Sequence, residues 1–224
     1  MINNYKEIQS YFIENKYVVI KDFLNKDAAS IFYNYCKLKT QSIDIKKFYC
    51  KESYDSLWDG RFDDEQSYGD FSYYGDPVME SILQLGLNSM QNFTGLNLVC
   101  NYSYWRLYQK DSILKRHLDR KSCEISTTLC LGYDISDVDQ NVYPDFDWPM
   151  FIKDKNNNEI PIHLKPGDML IYRGCEVEHW REPFIGINHA QVFLHYNDVN
   201  GENPIVNDNR RCLGVPKNIT SLEE

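Results

Sequence analysis

The pattern of apolar and polar positions gives the chain two textures. In the first part, apolar residues recur at helical spacing. Tyr5, Ile8, Tyr11 and Phe12 predict a helix over 3–15. The β-branched run YVVIKDF (17–23) predicts a short strand. Asn25 is placed to cap a second helix, with Ala28, Ile31, Tyr35 and Leu38 as its apolar face. Residues 50–75 are rich in Asp, Ser, Gly and Tyr and carry no period, which predicts a long ordered loop. Asp76-Pro77 opens a third helix with proline in its first turn. It runs through Met79, Ile82, Leu83, Leu85, Leu87 and Met90 and stops near Gly95.

From residue 97 the apolar runs become short and bounded by turn residues. Strands are expected at 97–108, 123–133, 147–153, 160–164, 168–173, 176–182 and 189–196, with turns at 155–159 and 166–168. Short strands with no helix among them predict a sandwich or jelly roll. The expectation is a single domain, mainly β with flanking helices (α+β). A helical layer (1–96) would pack outside a β core (97–197), followed by a tail (198–224).

Composition adjusts this picture only slightly. The 17 Tyr, 11 Phe and 4 Trp favour strands. No apolar run reaches the ~18 residues of a helical membrane span. The start, MINNYKEIQSYF, lacks the regions of an export signal. The seven cysteines are odd in number and none has CxxC spacing, so they read as reduced thiols of a cytoplasmic protein. Cys123, Cys130 and Cys175 are read as small core fillers. The net charge of −9 argues against a general affinity for nucleic acid. Lys110, Lys115, Arg116, Arg120 and Lys121 are read as a solvated rim.

Candidate chemistry begins with His-Leu-Asp at 117–119. On a strand, residues i and i+2 face the same way, so His117 and Asp119 could reach one ion. The motif alone is common, and Asp119 could equally pair with Arg116 or Arg120. His179 lies in a later strand-turn-strand segment that a jelly roll can bring alongside, although a core histidine bonded to a backbone carbonyl is the plainer reading. Two His and one carboxylate on one face leave three coordination positions open, the arrangement of non-heme Fe(II) oxygenases.

The surrounding stretches are YSYWRLYQKDSILKRHLDRKSCEISTTLCLGYD and KPGDMLIYRGCEVEHWREPFIGINHAQVFLHY. Over about 98–197 they resemble the Fe(II)/2-oxoglutarate-dependent dioxygenases, and among them small prolyl-hydroxylase-like members from bacteria and viruses. The resemblance implies a double-stranded β-helix of the cupin-like jelly-roll kind. It implies Fe(II), 2-oxoglutarate and O₂ as cofactors, with His117, Asp119 and His179 as metal ligands and catalytic residues. The implied reaction couples decarboxylation of 2-oxoglutarate to oxidation of a second substrate, usually by hydroxylation.

One position departs from the family. A cation is common about ten residues after the distal histidine, where it pairs with the distal carboxylate of 2-oxoglutarate. Here that region reads Asn188-His189-Ala190-Gln191. Arg181 shares a strand face with His179, and Arg106 shares one with Tyr104 and Tyr108 on a strand that borders the co-substrate pocket in the family. Arginine suits the task because its fork grips a carboxylate and keeps its charge. Arg181 is the first candidate, helped by Arg106 or Tyr108. His189 would serve only if protonated. His195, Tyr196 and Trp148 are read as packing, His163 as exposed, and no pattern places 210–218, which could fold over the site mouth.

The alternatives are a cupin-like Zn or Mn metalloprotein and a non-catalytic jelly-roll binding module. The expected partner is a small-molecule or peptidyl substrate, with 50–75 as a candidate lid.

Overall fold

The structure is a computed structural model and describes residues 4–217. Four helices precede or interrupt the strands: α1 (Tyr5–Asn15), α2 (Lys26–Tyr49), α3 (Ser56–Asp59) and α4 (Pro77–Thr94). Ten strands follow in chain order as β1 (Tyr17–Ile20), β2 (Phe71–Tyr74), β3 (Leu98–Gln109), β4 (Leu114–His117), β5 (Ile125–Asp134), β6 (Met150–Lys153), β7 (Glu159–Ile162), β8 (Met169–Arg173), β9 (His179–Arg181) and β10 (Asn188–Asp198). No helix among the described residues is long and apolar enough to cross a membrane.

The strands form a six-stranded sheet, β1-β8-β5-β10-β3-β2, and a four-stranded sheet, β4-β9-β6-β7. Every pairing is antiparallel. Side chains of both sheets meet in one apolar cluster: Cys130, Leu170 and Tyr172 from the larger, Met150, Ile152 and Ile162 from the smaller. The expected double-stranded β-helix is therefore present. Strand alternation divides the larger sheet's side chains cleanly. Trp105, Leu107, Val192 and Leu194 point outward to a second cluster with Phe12, Cys36, Ile43, Met79 and Leu83 of the helices. Arg106, Tyr108, Phe193 and His195 take the other face, toward the smaller sheet.

Local chemistry sets the element ends. The Asn25 side chain accepts from the Ala28 amide and starts α2. Asp76 does the same for Val78, with proline following, and Gly95 closes α4 in the left-handed conformation. In the 166–168 turn, Gly167 has φ +96 and a Cβ there would lie 2.2 Å from the Leu24 carbonyl oxygen, so only glycine fits.

Three expectations need correction. The face predicted for α2 is wrong in part: Tyr35 does pack on the core, but two others of its residues do not. Ile31 and Leu38 are each 66% exposed, while Ala29, Cys36 and Ile43 are buried. The helix carries apolar residues on two sides, and the side with the small residues is the one that lies against β5. The 50–75 loop contains α3 and β2, and the polar residues that disguised β2 are satisfied by the sheet edge, where Arg61 and Ser72 exchange backbone bonds of 2.8 Å. The helical layer also supplies both edge strands, β1 and β2, of the larger sheet rather than lying wholly outside it.

Candidate metal centre and adjoining cavity

The three predicted ligands converge. His117 ends β4 and His179 begins β9, and antiparallel register sets them directly opposite each other. Their rings are 4.2 Å apart. Asp119 lies beyond the end of β4, so it is not placed by strand alternation. Its amide donates to the Gly174 carbonyl at 2.9 Å, which turns the chain back toward the histidines. Asp119 Oδ1 then lies 3.6 Å from His117 Nε2 and 3.7 Å from His179 Nε2. One donor atom from each residue falls within 4.8 Å of the others.

Backbone contacts decide which ring nitrogen faces the centre. His117 Nδ1 is 2.7 Å from the Lys115 carbonyl and His179 Nδ1 is 2.9 Å from the Val177 carbonyl. A carbonyl can only accept, so each Nδ1 carries a proton and each Nε2 is the nitrogen that faces the centre. Burial pushes the His179 imidazole down toward its neutral form. Burial would raise the Asp119 carboxyl, but the His179 and His117 rings, His195 and the Ser126 hydroxyl hold it well below the usual carboxylate range. Two imidazoles and a carboxylate form a donor set suited to a divalent first-row ion.

A second layer fixes Asp119. Ser126 Oγ donates to Oδ2 at 2.6 Å and lies 3.0 Å from His195 Nδ1. Gly174 is required by close approach, since a Cβ there would fall 2.4 Å from Asp119 Oδ2 and 2.3 Å from the Cys123 carbonyl oxygen. His195 thus belongs to the site and is not mere packing. Cys123 lines the cavity beside Tyr102, whose hydroxyl is 2.8 Å from its sulfur. Strand alternation on β5 and β10 was the available signal for Ser126 and His195.

The triad opens into a cavity of about 570 Å³. Arg106 and Tyr104 line it. Arg106 is buried and already neutralised, with Nη2 2.8 Å from Asp64 Oδ2 and 3.0 Å from Gln66 Oε1. Arg181, Tyr108 and His189 lie outside the lining. Arg181 is 2% exposed. One nitrogen donates to the Trp148 carbonyl and the guanidinium sits 4.6 Å from the centre of the Trp148 ring. Its Nε has no partner, and no carboxylate pairs with it among the described residues. His189 is also buried with Nε2 unpartnered. Burial, reinforced by Arg181, pushes it well below the ordinary imidazole range, so it is neutral. Trp148 packs on Tyr108, Phe184 and His189, as its packing role required.

The tail does reach the mouth. Asp208 accepts two bonds from Arg120, at 2.9 and 2.7 Å, and one from Tyr74 at 2.7 Å. Arg210 is buried against Glu80 at 2.6 Å, and Lys217 lines the cavity. His163 is exposed and pairs with Asp147 at 2.8 Å.

Among solved structures the fold has many counterparts. A Pseudomonas putida prolyl-4-hydroxylase superposes with a TM-score of 0.62 at 14% identity, covering 87% of this chain and 98% of its own. HygX from Streptomyces hygroscopicus, solved with nickel and 2-oxoglutarate bound, gives 0.59 at 12%, over 94% and 95%. The non-heme α-ketoglutarate-dependent epimerase SnoN from nogalamycin biosynthesis gives 0.63 at 10%, over 95% and 92%. No protein-family profile and no curated protein sequence matches the chain. At these identities the likeness establishes the double-stranded β-helix fold that such oxygenases use.

Proposed function

We propose that the protein is an Fe(II)- and 2-oxoglutarate-dependent oxygenase, a hydroxylase in the simplest case. The observation that carries the reading is the His117–Asp119–His179 triad, with one donor atom of each residue within 4.8 Å of the others, beside a cavity. The neighbours named above include enzymes of this cofactor class.

When bound, iron with 2-oxoglutarate and O₂ supplies the oxidising power, at the cost of converting 2-oxoglutarate to succinate and CO₂. The chain's residues do the rest. His117, Asp119 and His179 would hold the metal on one side and leave the cavity side open. Ser126 and Gly174 fix the carboxylate's orientation. Arg181 would receive the distal carboxylate of 2-oxoglutarate, because it is the buried guanidinium that lacks an anion. Arg106 is matched by Asp64, and neutral His189 could add a hydrogen bond but no charge. The cavity stops short of Arg181, so the co-substrate's entry would displace side chains along its wall. Tyr108, 3.4 Å from Arg106, stands in that region. A small-molecule or peptidyl substrate fits the size of the cavity, which falls in the usual small-ligand range.

The test is binding and turnover on one preparation. Addition of 2-oxoglutarate should raise the melting temperature only when Fe(II), or Mn(II) in its place, is present, and Fe(II)-loaded protein should release succinate with a suitable substrate. Metal-independent binding, or none, would reject the reading. Tight Zn(II) binding without any response to 2-oxoglutarate would favour the cupin-like alternative.

A further inference from the structure

Hydrogen-bonding capacity is unevenly spent around the cavity wall. Both carboxylates that line it are occupied. Asp64 accepts from Arg106, from the Tyr104 hydroxyl and from the Gln66 amide. Asp119 belongs to the metal triad and to Ser126. Two of its four phenols point their protons elsewhere, Tyr74 to Asp208 and Tyr104 to Asp64.

What remains is donor capacity. Arg61 lines the cavity, and its backbone is pinned to Ser72 by two bonds. Its side chain makes one contact, Nε to the exposed Asp63 at 3.3 Å, and both terminal nitrogens stay uncommitted. The Gln66 side chain spends its oxygen on Arg106 and keeps its NH₂. Lys217 also lines the cavity; it forms no ion pair among the described residues, although its charge helps hold the Asp208 carboxyl down. Part of the lining is aromatic: Tyr74 and Tyr102 stack at 4.9 Å, and the Arg120 guanidinium sits 4.7 Å from the centre of the Tyr102 ring. This donor-rich mouth belongs to a chain with net charge −9, so it is a local feature and not a consequence of composition.

We propose that the cavity recognises a small organic anion, a carboxylate carried on an apolar or aromatic skeleton, with Arg61 and Lys217 meeting the charge and Tyr74 and Tyr102 the skeleton. This deepens the oxygenase reading and rests on it for the reaction, though not for binding. A free ammonium group finds no uncommitted carboxylate in the lining, because Asp64 already serves Arg106 and Asp119 belongs to the triad. A zwitterionic amino acid is thereby disfavoured relative to a simple acid. The metal-side charges do not alter the sign: Asp119, a divalent ion, the 2-oxoglutarate dianion and Arg181 sum to zero.

The experiment is a ligand-observed NMR screen of matched pairs, each a carboxylic acid and its neutral carboxamide. The protein is loaded with Zn(II) and saturated with 2-oxoglutarate. Hits should fall among the carboxylates, and their affinity should drop at least tenfold in the Arg61→Gln/Lys217→Gln double variant. Lys155→Gln, on the β6–β7 turn outside the cavity lining, should leave them unchanged. Equal binding of acids and amides, no carboxylate hits, or hits untouched by the double variant would each overturn the proposal. Failure of 2-oxoglutarate itself to bind the Zn(II) protein would instead defeat the reading of the previous section. The carboxylate preference and its loss in the double variant would then still decide the anion site.

Discussion

At the scale of single residues, the site separates charges that are matched from one that is not. Asp119 is the only carboxylate at the triad, so Asp119→Ala should weaken Mn(II) or Zn(II) binding by more than the ~100-fold that a supporting residue can cost. Calorimetry would measure it, and metal binding at full strength would remove Asp119 from the ligand set. Arg181 is the unmatched charge. Arg181→Ala should cost ~2–5 kcal/mol of 2-oxoglutarate binding, at least tenfold in affinity, with metal affinity spared. The arginine keeps its proton throughout the neutral range, so co-substrate affinity should stay level from pH 6 to 8. A steep fall over that interval would transfer the role to His189, whose charge would then have to survive the burial that opposes it.

At the scale of elements, what the sequence disclosed depended on whether the signal was local. The caps of α2 and α4, the strand texture after residue 97 and the His-Leu-Asp motif were legible because each needs only a few neighbouring residues, whereas His179 was singled out as a ligand only through the resemblance of the longer stretch around it. The face of α2 was not, because Ile31 and Leu38 obey helical spacing as well as Ile43 does, and only the packing against β5 chooses. Leu38→Gln should therefore shift stability by no more than ~0.5 kcal/mol, whereas Ile43→Ala should cost ~2–5 kcal/mol, both read by urea denaturation. A larger cost at Leu38 than at Ile43 would mean that α2 is docked the other way round. Asp119 was found by its motif but for an incomplete reason, since a bond to Gly174 and not the strand alone aims it. Gly174→Ala should accordingly weaken metal binding about tenfold or more while circular dichroism stays that of the parent. Alternation could put Ser126 and His195 on the cavity face, but not disclose that they meet each other, and the tail's place was illegible because its pairings with Arg120 and Glu80 are remote in the chain.

At the scale of the whole molecule, the larger sheet, the helices on its outer face and the tail hold one another through buried polar links as well as apolar ones. Glu80 of α4 and Arg210 of the tail pair in the interior, so Arg210→Met should destabilise the fold by ~3–5 kcal/mol through the carboxylate left behind, more than surface pairs such as Lys155–Glu14 could contribute. Thermal unfolding of the two variants, Arg210→Met and Lys155→Met, measures the contrast, and similar losses would contradict it. The opposition of His117 and His179 across β4 and β9 has a kinetic meaning too. These two strands are short, and a long stretch of chain must be gathered before they meet. An ion held from both strands would act as a clasp on this seam. If the seam forms after the folding barrier, that clasp would slow escape from the native state more than it speeds arrival. A metal-loaded sample should accordingly outlast the apo protein under pulse proteolysis, and chelator should erase the difference.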